Sequence, residues 1–247
     1  MVRKTNRRKI SCLYLSLVLG LLLNTGCQFQ KAFVSKEKAL PIYVSKVMVA
    51  GFRTALSRGD ASNAIRDPIS GGVFMAEPVP NEIAQKMSRV LYEKVSTEKG
   101  FDTVSPNQAK WGFSSVVRAE NNLTVSTLEI LQKVGSSFGA DAVLAGHIYR
   151  WREREGTDFA ASRPASVAFD LLLISVAEGR ILWKGKFDKT QRSLSEDVLD
   201  LATFRESGGR WITAEKLGML GLRDLLAEMP ARRISDAPGE HFEREGR

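Results

Sequence analysis

Cysteine is nearly absent from this 247-residue chain. The two present, Cys12 and Cys27, stand near the amino terminus, and Gln28 to Arg247 carries no thiol. That excludes a disulfide framework and a thiolate metal site from the body of the chain. Histidine is as scarce, with His147 and His241 alone. No second histidine stands at ligand spacing, so neither a zinc site nor any other cofactor is expected. A Ser-His-Asp triad would have to recruit His147, and no Gly-x-Ser-x-Gly elbow is expected near it. Gly71-Gly72 lacks the Gly-Lys-Ser/Thr ending of a phosphate loop. Little in the chain speaks for catalysis, and an enzyme is not expected.

Acids are missing from residues 1–26, which hold Arg3, Lys4, Arg7, Arg8 and Lys9. The formal charge is +8, and without this stretch it is +3. The basicity therefore belongs largely to a targeting segment, and nucleic acid is not an expected partner. Ile10 to Leu23 is a Leu-rich apolar run of 14 residues. That suits a secretory signal core of about 7–15 residues and is short of the roughly 20 that span a bilayer. Leu23-Asn24-Thr25-Gly26-Cys27 follows. An apolar run ending in small residues, Gly and Cys resembles a bacterial lipoprotein signal. The resemblance implies cleavage before Cys27, diacylation of its thiol and acylation of the new amino group. Asn24 stands where that family usually has Leu. An uncleaved anchor is the alternative, because Ile10 to Gln30 carries no charge. Both readings tether the chain to a membrane, and more than one acyl chain is needed for stable anchoring. An Asp after the Cys implies retention in the inner membrane in this family, so Gln28 favours the outer membrane.

The expected organisation is a signal peptide over 1–26, the lipidated Cys and a tether over 27–43, one folded domain over 44–229, and a disordered tail over 230–247. Lys46 to Phe52 is an apolar run ending near Gly51, a buried-strand pattern. Residues 53–78, with Gly59, Pro68, Gly71, Gly72 and Pro78, read as a long loop. Ile83, Met87, Val90 and Leu91 share one face of a helix stopping at Gly100. Phe101 to Ser105 reads as a short strand. Pro106 opens a second helix, and Ser126 caps a third bearing Leu128, Leu131, Val134 and Phe138. A strand follows through Tyr149. Ala165–Val176 and Arg180–Thr190, joined at Glu178-Gly179, read as an antiparallel hairpin. Ser195 to Phe204 is weakly helical, and Thr213 to Met229 strongly so. The sum is an α/β fold in one domain, a mixed sheet covered by helices. Its parallel strands have helical crossovers, and an antiparallel hairpin lies near its carboxyl end.

The segment Phe138-Gly-Ala-Asp-Ala-Val-Leu-Ala-Gly-His-Ile-Tyr149, a helix end leading into an apolar strand, resembles a superfamily of envelope proteins. It contains the curli-secretion lipoproteins, the lipoprotein activators of penicillin-binding proteins and the amino-terminal domain of TolB. The early strand Val47–Phe52, the helix Asn81–Thr97 and the turn Ala177-Glu-Gly-Arg180 before Ile-Leu-Trp183 fit the same pattern. The resemblance spans roughly residues 45–225 and brings no catalytic residues. It implies a lipoprotein on the periplasmic face of an outer membrane that binds, assembles or regulates an envelope machine. No extra pair of long alternating strands is present, so a pore is not expected.

Asp141 at a helix–strand junction should satisfy backbone donors. Asp170 interrupts an apolar strand, so it faces solvent or has a buried partner. Tyr149, Arg150, Trp151, Arg152 and Arg154 form the densest basic-aromatic cluster and are the candidate partner-binding residues, a rim for an anionic cell-wall polymer or an acidic protein surface; the alternative is a strand end with solvated Arg. The loops 53–78 and 152–164 are further candidate contact surfaces. The expected partners are a membrane, through the lipid anchor, and an unidentified envelope protein, with homo-oligomerisation open. The first alternative is an oligomeric subunit of an outer-membrane export apparatus, and the second an envelope hydrolase.

Overall fold

The computed structural model describes residues 33–35, 44–119, 125–192 and 208–231. The expected signal segment, Cys27, the weak helix at 195–204 and the tail beyond residue 231 lie outside them. The sequence periodicities become a six-stranded mixed sheet with helices on both faces.

The first long strand is Lys46–Thr54 (β2); a short one, Phe33–Ser35 (β1), precedes it within the stretch expected as tether. A small hairpin, Asn63–Arg66 (β3) with Val73–Ala76 (β4), follows, then helix Asn81–Glu98 (α1) and strand Asp102–Val104 (β5). Helices Pro106–Ala119 (α2) and Thr127–Ser137 (α3) lead to strand Ala142–Arg152 (β6). A two-rung ladder, Glu155–Gly156 (β7) with Ala161–Arg163 (β8), precedes the long hairpin Ser166–Ser175 (β9) and Ile181–Thr190 (β10). Helix Ala214–Glu228 (α4) closes the series. The sheet order is β1-β10-β9-β6-β2-β5, with β2 parallel to β5 and β6, and the other pairings antiparallel.

Two-residue alternation sends each strand's apolar residues to two cores. Val47, Leu144, Phe169 and Leu171 face α1 and α4, meeting Met87, Leu91, Leu217 and Leu225. Met48, Val143, Leu172 and Ile174 face α2 and α3, meeting Ala109, Leu131 and Val134. Every residue of β9 is buried, which is why its sequence reads as a continuous apolar run. Ser126 and Glu129 form a capping box that starts α3. Gly51 adopts φ 82° at a register shift in β2, and a Cβ there would lie 2.5 Å from the Ser88 hydroxyl. That hydroxyl accepts from Phe52 N–H at 2.7 Å and donates to Ala84 C=O at 2.6 Å, drawing α1 onto β2.

The expectation of an unstructured loop over 53–78 is corrected here. Val73-Phe-Met-Ala alternates exposed and buried residues, and Phe74 stacks on Tyr149 with ring centroids 3.8 Å apart. The segment 152–164 likewise holds the β7–β8 ladder rather than a plain loop. Asp141 behaves as expected: its Oδ2 accepts from Ser45 and Lys46 N–H at 2.9 and 2.8 Å, anchoring the start of β2. Among the described residues, no helix is long and apolar enough to cross a membrane.

Candidate functional site

The turn between β3 and β4 delivers Asp67 and Ser70 to the sheet, where they meet His147 and Tyr149 of β6 and Asp170 of β9. Asp67 and Asp170 are almost wholly buried. Asp67 Oδ1 accepts from Ile69 and Ser70 N–H at 3.0 and 2.5 Å. Its Oδ2 lies 3.0 Å from the Tyr149 hydroxyl and 3.1 Å from His147 Nδ1. Asp170 Oδ1 accepts from His147 N–H at 3.0 Å, and Oδ2 lies 3.1 Å from the Tyr149 hydroxyl and 3.3 Å from Ser70 Oγ.

One phenolic proton cannot serve two carboxylates. Tyr149 donates to one and accepts from the other, so one carboxyl carries a proton. Asp170 is that carboxyl below about pH 6. Burial, then the Asp67 charge, pushes it up to about 6. Burial alone would raise Asp67 as well, but the adjacent His147, Ser70 and Tyr149 donors outweigh it and hold the group well below the usual carboxylate range. Tyr149 is raised far above its ordinary value by burial and by both carboxylates, so it acts as a neutral hydroxyl. The three potential ligand atoms of Asp67, His147 and Asp170 lie within 4.8 Å of one another. The Tyr149 hydroxyl bridges the two carboxylates, while His147 Nδ1, 3.1 Å from Asp67 Oδ2, is buried without a well-directed hydrogen bond.

His147 also lines a groove of about 1000 Å³ beside the carboxyl-terminal parts of β2 and β5 and the middle of β6. Its floor is apolar, with Ala50, Phe52, Phe113, Ile130 and Leu172. Arg53, Arg89, Lys110 and Arg118 also line it, all exposed, and among the described residues none of the lining is acidic.

The basic-aromatic cluster is not a solvated strand end. Tyr149 is buried in the network, and Arg150 is 8% exposed. Arg150 donates to Ser166 Oγ at 2.7 Å, Met75 C=O at 3.1 Å and Asp188 Oδ1 at 2.5 Å. Arg152 pairs with Glu77 at 3.1 Å and Arg154 with Asp158 at 2.5 Å. Trp151 packs over Gly218 of α4, where a Cβ would lie 2.4 Å from its ring. A β-bulge between Ile148 and Arg150 turns these side chains inward. Charge reversal at Arg150 would therefore strike the fold before any partner. Arg150→Met is expected to cost about 2 kcal/mol, by leaving the Met75 carbonyl and half-buried Asp188 unpaired. Urea unfolding reads this directly, and an unchanged midpoint would contradict the structural role.

Sequence reasoning missed Asp67 and Ser70 because it read their segment as loop; the acid before Pro68 and the Gly-Gly turn were the available signals. The expectation of no Gly-x-Ser-x-Gly near His147 is corrected in its letters, which Gly135-Ser136-Ser137-Phe138-Gly139 carries. That segment closes a helix instead of opening one, and Ser137 Oγ donates to Val134 C=O at 2.7 Å.

No family model matches the chain, and no curated protein matches it. Several solved structures are similar to it in outline. The LpoB C-terminal domain from Salmonella enterica shares 16% identity over 62% of this chain and 89% of that one, with a TM-score of 0.36. The PelC dodecamer from Paraburkholderia phytofirmans shares 14% over 82% and 99%, at 0.39. Lipoprotein GNA1162 from Neisseria meningitidis shares 14% over 66% and 96%, at 0.36. LpoB belongs with the penicillin-binding-protein activator lipoproteins to which the sequence was likened. Superpositions this loose assign no function to the chain.

Proposed function

We propose that this protein is a lipoprotein anchored through Cys27 to the periplasmic face of an outer membrane, where it works by binding or regulating an envelope partner and not by catalysis. The observation that carries the non-catalytic part is the state of the buried network. Asp67, Tyr149 and Asp170 are strongly shifted from their ordinary pKa values, and they are bonded to one another. A general base or nucleophile needs a free lone pair aimed at a substrate. Here the lone pairs hold the β3–β4 turn onto the sheet.

The anchoring part rests on the Leu-rich run and the Thr25-Gly26-Cys27 ending. Trp151, Arg152 and Arg154 keep part of their surface in solvent and belong to the proposed contact face, together with outward-facing Val73 and Met75 on β4. Tyr149 and Arg150 support that face from within.

Fractionation of cells carrying the wild-type chain or Cys27→Ser tests this reading. The wild type is expected in the outer-membrane fraction. The variant, unable to be acylated, is expected to leave it, either as a soluble chain or as an unprocessed precursor in the inner membrane. Equal outer-membrane retention of both would contradict anchoring at residue 27.

A further inference from the structure

The groove beside His147 lies where the chain's own winding opens the sheet. After β2 the chain crosses to β5 through α1 on one face, and after β5 it crosses to β6 through α2 and α3 on the other. The two connections diverge from neighbouring parallel strands. That parting leaves a crevice at their carboxyl ends, the position at which open α/β sheets take ligands. Its volume of about 1000 Å³ is at the upper end for a small-molecule site.

The lining sorts by chemistry. The floor is apolar, and its buried hydroxyl, Ser88, is used up by Phe52 N–H and Ala84 C=O. Of the other polar lining residues, Gln85, Asn107 and Thr127 are exposed and stand with the charges rather than on the floor. The charged groups stand at the rim. Arg53 follows the β2 bulge, Arg89 projects from α1, and Lys110 and Arg118 from α2. Arg53, Arg89 and Lys110 make no ion pair among the described residues. The nearby carboxylates Asp67 and Asp170 are buried in their own network and do not line the groove.

We propose that this groove binds a single anionic amphiphile, an acyl chain headed by phosphate or carboxylate. The chain lies along Phe52, Phe113, Ile130 and Leu172, and the head sits between Arg53, Arg89 and Lys110. Unpaired cations above an apolar floor match that division of a lipid anion. The proposal does not depend on acylation of Cys27.

The test uses the full chain in phosphatidylcholine nanodiscs with a diazirine-bearing fatty acid. After illumination, label is expected in peptides spanning residues 50–53 and 105–118. Dodecyl phosphate and dodecanoate should both displace it, which assigns the shared anionic amphiphile. If one competes and the other does not, that head group is the ligand's. Arg53→Glu combined with Arg89→Glu should reduce groove labelling about tenfold while thermal unfolding stays unchanged, since neither side chain holds the fold. Lys110→Glu alone should weaken it in the same direction. Equal displacement by dodecyltrimethylammonium would overturn the proposal, because it would show no charge selection. Displacement by inorganic phosphate or an acidic peptide alone would overturn it too, as would labelling that leaves these peptides untouched.

Discussion

Gly146→Ala is expected to destabilise the domain by roughly 3 kcal/mol or more, a large share of the 5–15 kcal/mol typical of a folded domain. Gly146 is in β6, against its antiparallel neighbour β9. A Cβ there would lie 2.3 Å from the backbone oxygen of Asp170 and 2.9 Å from the Phe52 ring. A side chain could swing away; a carbonyl in a central ladder cannot. Relief requires β6 and β9 to part beside the Asp67–Tyr149–Asp170 network. Gly139→Ala is the control. Its site has open space but φ 60°, so it carries only the left-handed backbone cost of about 1–2 kcal/mol. Denaturant unfolding of both separates the effects. Equal, small losses would mean that the strands are not packed as described.

Asp170→Asn is expected to stabilise the protein at neutral pH. The native carboxyl titrates at about 6 and the unfolded one at 3.8. A folded pKa raised above the unfolded value gives stability that is complete below pH 3.8 and is lost as pH rises to about 6. At pH 7.5 the wild type therefore bears the full cost of ionising Asp170 beside Asp67, about 3 kcal/mol. Asparagine copies the protonated acid. Its oxygen can accept from His147 N–H, and its amide can donate to Tyr149, which donates to Asp67. The difference in stability between variant and wild type should be near zero at pH 3.5, rise between pH 4 and 6, and stay flat above. Taking the difference cancels Asp67, whose lowered pKa acts with the opposite sign below pH 4. A variant less stable than the wild type at pH 7.5 would mean that the ionised carboxylate is needed.

The periodic parts of the fold were legible in the sequence. The faces of α1 and α3, the continuous apolar run of β9 and the Glu178-Gly179 turn each follow from local spacing. What escaped depends on contacts distant in sequence. The β3 and β4 strands have four residues each and are fixed by Phe74 stacking on Tyr149 across the chain. Arg150 looked solvated because its neighbours Arg152 and Arg154 are polar; the bulge and the partner Asp188 that bury it lie elsewhere. Deleting residues 57–72, which suggests itself if they are a loop, would remove Asp67 and uncover Asp170. Asp170 was visible as an anomaly in an apolar strand, but its raised pKa needed the geometry. The groove was invisible, since Arg53, Arg89 and Lys110 come from three elements that converge only when the sheet is wound.

The proposed surface action rests on a membrane-held body. Intact-mass measurement of the protein extracted from membranes tests this most directly. The predicted result is a chain beginning at Cys27 and heavier than its amino-acid mass by a diacylglyceryl group, with or without one further acyl group. An unmodified residue 27 in a freely soluble chain would contradict it.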